Sequence, residues 1–395
     1  MKDRTLLMIP GPIEFEPAVL QALGAPTTSH VSPDFIEVFG QAIERMRDVW
    51  CAPGGQPFVV AGSGTLAMDI AGANLIEPGD KALVLSTGVF GDRFEDLLSR
   101  YGADVTVFRF PIGEPIDYDQ VESVLKKDKY KLMTATHVDT STAVRIDPRL
   151  LGGLGAKHNT LTILDGVCSV AAEEIQQEEW GIDVVLTASQ KAIGVPPGLA
   201  LLVASPQAID VWQQRTTLVS NYYADWEKWL PVMQAYEQRR PSYFGTPAVN
   251  LIAALNVSLG QILAEGMGVR VQRHKTIGAA CRAACTSLNL GMVPTDESHA
   301  ANTLSAPRYP AGVEAAQFLP AARAAGVILA GGLHPDIRTE YFRIGHMGAV
   351  RSGDLLAAIG AIEAGLEACG HEFSLGAGVA AAQSVLVGSG VEQEQ

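Results

Sequence analysis

The middle of the chain alternates between short apolar runs and longer amphipathic stretches, and this alternation restricts the possible folds more than any other feature. The apolar runs are rich in β-branched residues, which is typical of buried strands, and the stretches between them have helical periodicity. Strands that alternate with helices form a mostly parallel sheet with helices on both faces. The predicted strands span residues 57–60, 81–86, 105–110, 130–136, 160–164, 184–188 and 199–204, and the predicted helices span 35–50, 65–75, 90–101, 119–127 and 148–158.

The alternation ends near residue 250, where a long helical run over 249–265 begins. At 395 residues the chain is longer than a single hydrophobic core usually supports. We therefore predict a large α/β domain with an N-terminal arm over residues 1–255, a smaller α+β domain over 256–375, and a loosely attached tail over 376–395. In the smaller domain the pattern predicts helices over 270–288 and 353–368 and strands over 303–308, 327–330 and 342–344.

Composition and charge exclude several classes of partner. The chain has 29 Lys and Arg against 43 Asp and Glu, a formal net charge of −14, and it has no basic cluster. Nucleic acid and anionic membrane surfaces are therefore not expected as partners. No apolar run has the length of a membrane span or the form of a signal peptide, so we expect a cytoplasmic protein. The five cysteines lack metal-ligand spacing, and no metal site is predicted.

Two of the predicted strands are followed by polar residues that can do chemistry, Asp165 and Lys191. Because the carboxyl ends of parallel strands face the ligand crevice, both side chains are expected in one site. A lysine between an apolar strand and a Gly/Pro-rich loop loses hydration, which favours the neutral amine that attacks carbonyl groups. An aspartate nearby suits the protonated ring nitrogen of pyridoxal phosphate. Taken singly, such an aspartate more often caps a helix and such a lysine is more often solvated, but together they favour catalysis.

A glycine-rich turn, Ala-Gly-Ser-Gly-Thr at 61–65, lies between a predicted strand and a predicted helix. Glycines let the backbone approach a phosphate, the helix N-terminus presents free amides, and the hydroxyls of Ser63 and Thr65 add donors. The turn is neither a GxGxxG fingerprint nor a nucleotide triphosphate loop. It is a candidate phosphate site, although a tight turn with Ser63 as the helix N-cap has a similar sequence.

Three further residues near strand ends are candidates for contacts with a flat cofactor or its substrate. Phe90 could cover the face of a ring, or it could belong to the core. Thr140 could donate to a ring oxygen, or it could form a turn. Arg343 lies in an apolar strand, and its burial requires a carboxylate from the protein or from a substrate.

Taken in order, these motifs resemble the class V aminotransferases of pyridoxal-phosphate fold type I, specifically the alanine–glyoxylate and serine–pyruvate aminotransferases, and most closely the fungal-type alanine–glyoxylate enzymes. The resemblance covers nearly the whole chain. Its motifs are Pro-Gly-Pro at 10–12, His-Val-Ser-Pro at 30–33, the turn at 61–65, Ser-Thr-Gly-Val-Phe-Gly-Asp-Arg at 86–93, Thr-His-Val-Asp-Thr-Ser-Thr at 136–142, Thr-Ala-Ser-Gln-Lys-Ala-Ile-Gly at 187–194, Tyr-Phe-Gly-Thr at 243–246 and Arg-Ile-Gly-His-Met-Gly at 343–348.

The resemblance implies pyridoxal phosphate as the cofactor and a role for each candidate residue. Lys191 would be the Schiff-base lysine and proton shuttle, Asp165 would pair with the ring nitrogen, and Thr140 would pair with the ring hydroxyl. Phe90 would stack on the ring, and Arg343 would bind the substrate carboxylate. The phosphate would be bound by Ser63, Gly64, Thr65 and Gln190 and, across a homodimer with a shared site, by Tyr243 and Thr246.

In related animal enzymes tryptophan and histidine stand at the positions of Phe90 and Thr65, so the stacking and phosphate contacts are expected to differ in strength. The implied reaction is a ping-pong transamination of alanine with glyoxylate that gives pyruvate and glycine. Serine–glyoxylate and serine–pyruvate transamination remain alternatives.

Other classes of function are disfavoured. The first alternative is a lyase that uses the same cofactor, either a desulfurase or a kynureninase-like enzyme. In a desulfurase a histidine would stand where this chain has Gln190, and no cysteine here has a suitable loop setting for a desulfurase nucleophile. A dinucleotide-dependent oxidoreductase is supported only by the alternation, and a non-catalytic binding module leaves Lys191 unexplained.

Overall fold

The computed structural model describes residues 5–388 and contains the predicted alternation of strands and helices. The strands are β1 (Leu6–Leu7), β2 (Gln56–Ala61), β3 (Lys81–Ser86), β4 (Asp104–Arg109), β5 (Leu132–Thr136), β6 (Val138–Asp139), β7 (Val144–Arg145), β8 (Leu161–Asp165), β9 (Val184–Ala188), β10 (Leu199–Ala204), β11 (Leu304–Ser305), β12 (Val327–Ile328), β13 (Ala330–Gly331) and β14 (Phe342–Gly345). The helices are α1 (Pro17–Leu23), α2 (Pro33–Trp50), α3 (Gly64–Leu75), α4 (Val89–Arg100), α5 (Tyr118–Leu125), α6 (Pro148–His158), α7 (Pro206–Gln213), α8 (Trp226–Glu237), α9 (Val249–Glu265), α10 (Met267–Ser287), α11 (Ala315–Ala324), α12 (Ser352–Ala368) and α13 (Ala377–Gly388), with a 3-10 helix at Glu297–His299.

The central sheet of the described chain has seven strands in the order β2-β10-β9-β8-β5-β3-β4. All neighbouring pairs are parallel except those of β10, which runs antiparallel to both β9 and β2. The direction reverses because a short Gly/Pro-rich loop connects β9 to β10, and a parallel neighbour would need a long crossover. Strands β5, β8, β9 and β10 are buried along their whole length, since helices cover both faces. The predicted mostly parallel sheet is confirmed.

The sequence pattern missed four helices that contain or begin with proline, α1, α7, α8 and α11, although it predicted α6, which also begins with proline. Pro231 lies inside α8 and Pro320 inside α11, while α1 and α7 each have a proline in their first turn. A proline interrupts the helical pattern in the sequence. In the structure, however, the first turn of a helix tolerates proline, and packing against other elements can stabilise a helix that has a proline in its interior. The strand predicted over 327–330 is divided between β12, which pairs with β1, and β13, which pairs with β14.

The C-terminal segment forms a helix where we expected a loose arm. Helix α13 packs against α10, and its Ala382 is fully buried. The buried carboxylate of Glu363 on α12 accepts hydrogen bonds from the amides of Gly376 and Gly378, both at 2.8 Å. The predicted loose attachment is therefore wrong for residues 377–388, and residues 389–395 lie outside the described part of the chain.

Buried apolar side chains form a large cluster around the central sheet and another around α10, α12 and β14. Strand β1 and Met8 of the N-terminal arm belong with the second group, because β1 pairs with β12. Helix α9 runs past residue 255, and Ile262 still packs in the first cluster, so the predicted boundary at residue 255 stays a prediction. Among residues 5–388 no single helix is long and apolar enough to cross a membrane, although α9 and α10 reach that length and composition as a pair bent by 84°.

Candidate active site

The carboxyl ends of β8 and β9 bring Asp165 and Lys191 to the same edge of the sheet. Asp165 is the last residue of β8, and Lys191 lies in the loop that follows β9. Strands β8 and β9 are parallel neighbours in the sheet, so the two residues leave it side by side. The structure therefore places the predicted pair in one site, although it does not test their roles.

The N-terminal arm closes over Lys191, a contact that sequence reasoning did not anticipate. Lys191 Nζ donates a hydrogen bond to the carbonyl oxygen of Pro10. A Cβ atom at Gly11 would lie 2.8 Å from Nζ, so only glycine fits there, and its φ of +102° also favours glycine. The Pro-Gly-Pro motif at 10–12 was the available signal, because such a motif fixes a turn that can lie against a side chain.

Asp165 is almost completely buried, and burial raises its pKa to about 7. The hydrogen bond from the amide of Val167 at 2.9 Å and the charge of Lys191 lower the pKa, while the nearby carboxyl of Asp139 raises it. A carboxylate in this setting is stabilised by a cation. It therefore fits a protonated ring nitrogen.

Asp139 organises two turns of the site and was not singled out in the sequence. Its Oδ2 accepts hydrogen bonds from the amides of Phe90 at 3.0 Å and Gly91 at 3.3 Å. Its Oδ1 accepts from the amide of Ser141 at 2.9 Å and from the Ser141 hydroxyl at 2.5 Å. The carboxyl thereby holds the turn that carries Phe90 against the turn that carries Thr140.

Thr140 and Phe90 lie on these joined turns. Thr140 Oγ1 is 2.7 Å from Cys168 Sγ, so its hydroxyl is engaged with a side chain of the site and not with a turn carbonyl. Phe90 is half-buried and lies outside the hydrophobic clusters, which disfavours a core role. The guanidinium of Arg93 lies 4.6 Å from the centre of the Phe90 ring, an arrangement typical of a cation–π contact.

The turn at 61–65 begins α3 and has features that suit a phosphate. Ser63 is the N-cap residue, but within the described chain its side chain makes no capping hydrogen bond and stays available. A Cβ at Gly64 would lie 3.0 Å from Val167 and 3.3 Å from Ala188, so glycine lets the helix approach the strand ends closely. Thr65 follows in the first turn of α3 and is exposed.

Gln190 supplies a further polar group next to Lys191. Its Oε1 is buried and has no hydrogen-bond partner among residues 5–388. The oxygen and nitrogen of a glutamine amide exchange places by rotation, so this side chain can present NH₂ donors to an anion. The residues therefore fit pyridoxal phosphate at both ends, because the carboxyl of Asp165 suits a ring nitrogen and the unpaired groups of Gln190 and Ser63 suit a phosphate.

Arg343 lies in β14 and contacts backbone oxygens. Its Nε donates to the carbonyl of Gly331 at 2.9 Å, and its Nη1 donates to the carbonyl of Thr140 at 3.4 Å. No carboxylate of residues 5–388 lies within 4.0 Å of it. Burial lowers the pKa of Arg343, as expected for a guanidinium without an anionic partner. Of the two sequence alternatives, a carboxylate from the described part of the protein is disfavoured, and the substrate carboxylate stays a prediction.

Tyr243 and Thr246 are not grouped with the other candidates in the single chain. Tyr243 is 63% exposed, and its ring lies 5.4 Å from that of His30. Thr246 is also exposed. Neither forms a hydrogen bond with the residues described above in the part of the chain that the structure covers.

Comparison with known proteins gives a consistent result. Residues 19–306 match the family model for aminotransferase class-V. The chain is 39% identical to alanine–glyoxylate aminotransferase 1 of Saccharomyces cerevisiae, over 88% of this chain and 93% of that protein. It is 32% identical to L-aspartate–glyoxylate aminotransferase of Paracoccus denitrificans, over 97% of this chain and 96% of that protein. The crystal structure of pyridoxamine–pyruvate aminotransferase from Mesorhizobium loti is similar with a TM-score of 0.92, 27% identity and 98% coverage of both chains.

Proposed function

This chain belongs to the class-V aminotransferases, a family that uses pyridoxal phosphate, and on that premise we propose that it transfers the amino group of alanine to glyoxylate. The family, the cofactor and the fold type I architecture predicted from the motifs are confirmed. The choice of alanine and glyoxylate is our proposal, and the name of the yeast relative supports it. The products are pyruvate and glycine.

The observation that carries this proposal is the unpaired guanidinium of Arg343. It is held by the carbonyls of Gly331 and Thr140 and meets no carboxylate among the described residues. A partly desolvated guanidinium binds a carboxylate through paired hydrogen bonds. A single such cation matches a donor with one carboxylate, such as alanine or serine.

A dicarboxylate donor is the second candidate, because a second cation lies close by. Arg93 sits over Phe90, acts electrostatically on Asp165, and forms no hydrogen bond or ion pair in the described chain. The relative from Paracoccus denitrificans is named for aspartate as donor. Arg93 is exposed, however, and a solvated guanidinium binds a carboxylate more weakly than the half-buried Arg343 does.

The residues of the site divide the chemistry among them. When bound, pyridoxal phosphate supplies an electron sink for the substrate α-carbon and carries the amino group between the two substrates. Lys191 binds the cofactor through Nζ and moves the proton at the substrate α-carbon. The carboxylate of Asp165 holds the proton on the ring nitrogen. Phe90 covers one face of the ring and excludes water, and the hydroxyl of Thr140 orients the ring oxygen.

The phosphate is held by the first turn of α3 and by Gln190, with side chains of a second subunit completing the site. The exposed Tyr243 and Thr246 suit this arrangement, because each is available to a neighbouring molecule. We therefore propose a homodimer in which each subunit contributes to the site of the other. The phosphate ligands from one chain are Ser63, Gly64, Thr65 and Gln190.

The absorption spectrum of the bound cofactor tests the reaction. Alanine should change the spectrum and release pyruvate, and glyoxylate should then restore it and release glycine. Lys191→Ala should keep the cofactor but lose at least about 100-fold in turnover, the smallest contribution expected of a proton-transferring group. Lys126→Ala, whose side chain is 61% exposed, serves as the control and should match the wild type.

Two outcomes would contradict the proposal. A spectrum that serine or aspartate changes while alanine does not would overturn alanine as the donor. Unchanged turnover in Lys191→Ala would overturn the assignment of the lysine.

A further inference from the structure

Tyr341 precedes β14 and joins two segments of the active site through its hydroxyl. The residue is fully buried. Its phenol donates a hydrogen bond to the carbonyl oxygen of Ser141, next to Thr140. The same oxygen accepts hydrogen bonds from the amides of Leu333 at 2.8 Å and His334 at 2.9 Å. One phenol thus connects the turn between β6 and β7 to the loop that follows β13.

Arg343 rests on the same two segments. Its guanidinium donates hydrogen bonds to the carbonyl of Gly331, at the start of the loop, and to the carbonyl of Thr140, in the turn. Residues two apart on a strand point to the same face, so Tyr341 and Arg343 leave the chain on one side. The phenol holds together the two segments whose carbonyls define the place of the guanidinium.

A glycine in the loop allows this packing. A Cβ atom at Gly332 would lie 2.4 Å from the carbonyl oxygen of Arg338 and 2.7 Å from Cε1 of Tyr341, closer than a Cβ atom approaches other atoms. Any larger residue would push the loop away from the phenol. The amides of Leu333 and His334 would then lose their acceptor.

We propose that the hydroxyl of Tyr341 is a positioning group that sets Arg343 in place for the substrate carboxylate. This inference rests on the assignment of Arg343 under the proposed function. Within the described chain only carbonyl groups fix the guanidinium, so separation of the two segments would move it. The affinity for carboxylates should then fall. The reaction at Lys191 should continue, because Tyr341 forms no hydrogen bond to the loops that carry Lys191 and Asp165 in residues 5–388.

Tyr341→Phe in the cofactor-loaded protein tests the proposal by removing a single oxygen atom. Hydrogen exchange followed by mass spectrometry should show faster exchange at Leu333 and His334. The dissociation constant of propionate, an unreactive carboxylate, should rise about tenfold, since a lost buried hydrogen bond typically costs about 1.4 kcal/mol. The KM for alanine should rise by a similar factor, with kcat changed by less than about twofold.

Tyr118→Phe is the matched control, because the Tyr118 phenol also donates to a backbone carbonyl, that of Asp147 at 2.5 Å, outside the site. It should leave propionate binding unchanged. Gly332→Ala displaces the loop from the phenol by crowding both the Tyr341 ring and the carbonyl of Arg338. It should also weaken propionate binding, which keeps the proposal testable if Tyr341→Phe folds poorly.

Each result has a distinct meaning. Unchanged exchange at Leu333 and His334 in Tyr341→Phe would overturn the hydrogen-bond network. Faster exchange with unaltered propionate affinity would overturn the positioning role alone. A wild-type protein that binds no propionate would overturn the carboxylate role of Arg343 and the positioning role together.

Discussion

At the scale of single residues, the buried carboxyl of Asp165 couples protonation to stability. Burial raises its pKa to about 7 in the folded chain, whereas an unfolded chain has a value of about 3.9. Between these values the folded state binds more protons than the unfolded state. The free energy of unfolding therefore decreases as the pH rises from about 4 to about 7.

The cofactor-free protein should show this dependence, and Asp165→Asn should not. Between about pH 5 and about pH 8 the wild type should lose about 3 kcal/mol of stability relative to the variant, because the folded-state pKa is raised by about three units. Urea unfolding at both pH values measures the difference. Subtracting the variant removes the contribution of Asp183, whose pKa burial also raises.

With the cofactor bound, the free energies of unfolding of wild type and Asp165→Asn should depend on pH more similarly, because a ring-nitrogen cation stabilises the ionised carboxylate. A cofactor-free wild type with the same pH dependence as the variant would contradict the raised pKa.

Site residues at the end of a buried strand could be located from the sequence. Site residues that are positioned by contacts between distant parts of the chain could not. Asp165 and Lys191 follow buried strands, so the rule for parallel sheets was sufficient. Asp139 holds Phe90 from 49 residues away, and Pro10 contacts Lys191 from 181 residues away. A local motif such as Pro-Gly-Pro at 10–12 can mark a turn, but it does not identify the distant residue that the turn contacts. Such contacts depend on how the completed fold brings separate turns together.

At the scale of elements, helix α10 holds the loops that carry the candidate catalytic pair. Its Arg270 donates to the carbonyl of Ala171 at 2.7 Å and to that of Ala192 at 2.8 Å, and it pairs with Glu265 at 2.6 Å. Ala171 follows Asp165 in its loop, and Ala192 is next to Lys191. Burial lowers the pKa of Arg270 to about 10, but the guanidinium stays charged at neutral pH.

Arg270→Met should lower the free energy of unfolding by about 3 kcal/mol, because it breaks a buried ion pair and leaves two carbonyls without donors. Arg282→Met is the control on the same helix, where the arginine pairs with the largely exposed Glu297 and donates to the carbonyl of Ala301. It should cost less than about 1 kcal/mol. Urea unfolding of the cofactor-loaded proteins compares them, and equal losses would contradict a special role for Arg270.

The elements around the central sheet could be predicted because most of its strands are long and buried on both faces. The strands outside this sheet could not be placed as well. Strands β12 and β13 comprise two residues each, and β12 pairs with β1 from the opposite end of the chain. Such strands are stabilised by their partners, so their own residues carry little signal.

At the scale of the whole molecule, an apolar surface between α7 and α9 is exposed in the single chain. Leu218 is 88% exposed and Tyr222 is 71% exposed, with the Tyr222 ring 5.3 Å from that of Phe244. Tyr243, a residue proposed to serve a neighbouring subunit, is next to Phe244 in the chain. Exposed apolar residues mark interaction surfaces, so the segment that carries them suits the proposed subunit contact.

Leu218→Glu should therefore convert a dimer into monomers, because a charge buried without a partner is costly. Val387→Glu makes the same change at a side chain that is 74% exposed on α13, away from this surface, and should leave the dimer intact. Light scattering gives the mass of each protein. The dissociation constant of the cofactor should rise only in Leu218→Glu, because Tyr243 and Thr246 then no longer reach the site of a second subunit. A Leu218→Glu dimer with unaltered cofactor affinity would place the subunit contact elsewhere on the molecule. A wild-type monomer with full affinity would show that one chain completes the site alone.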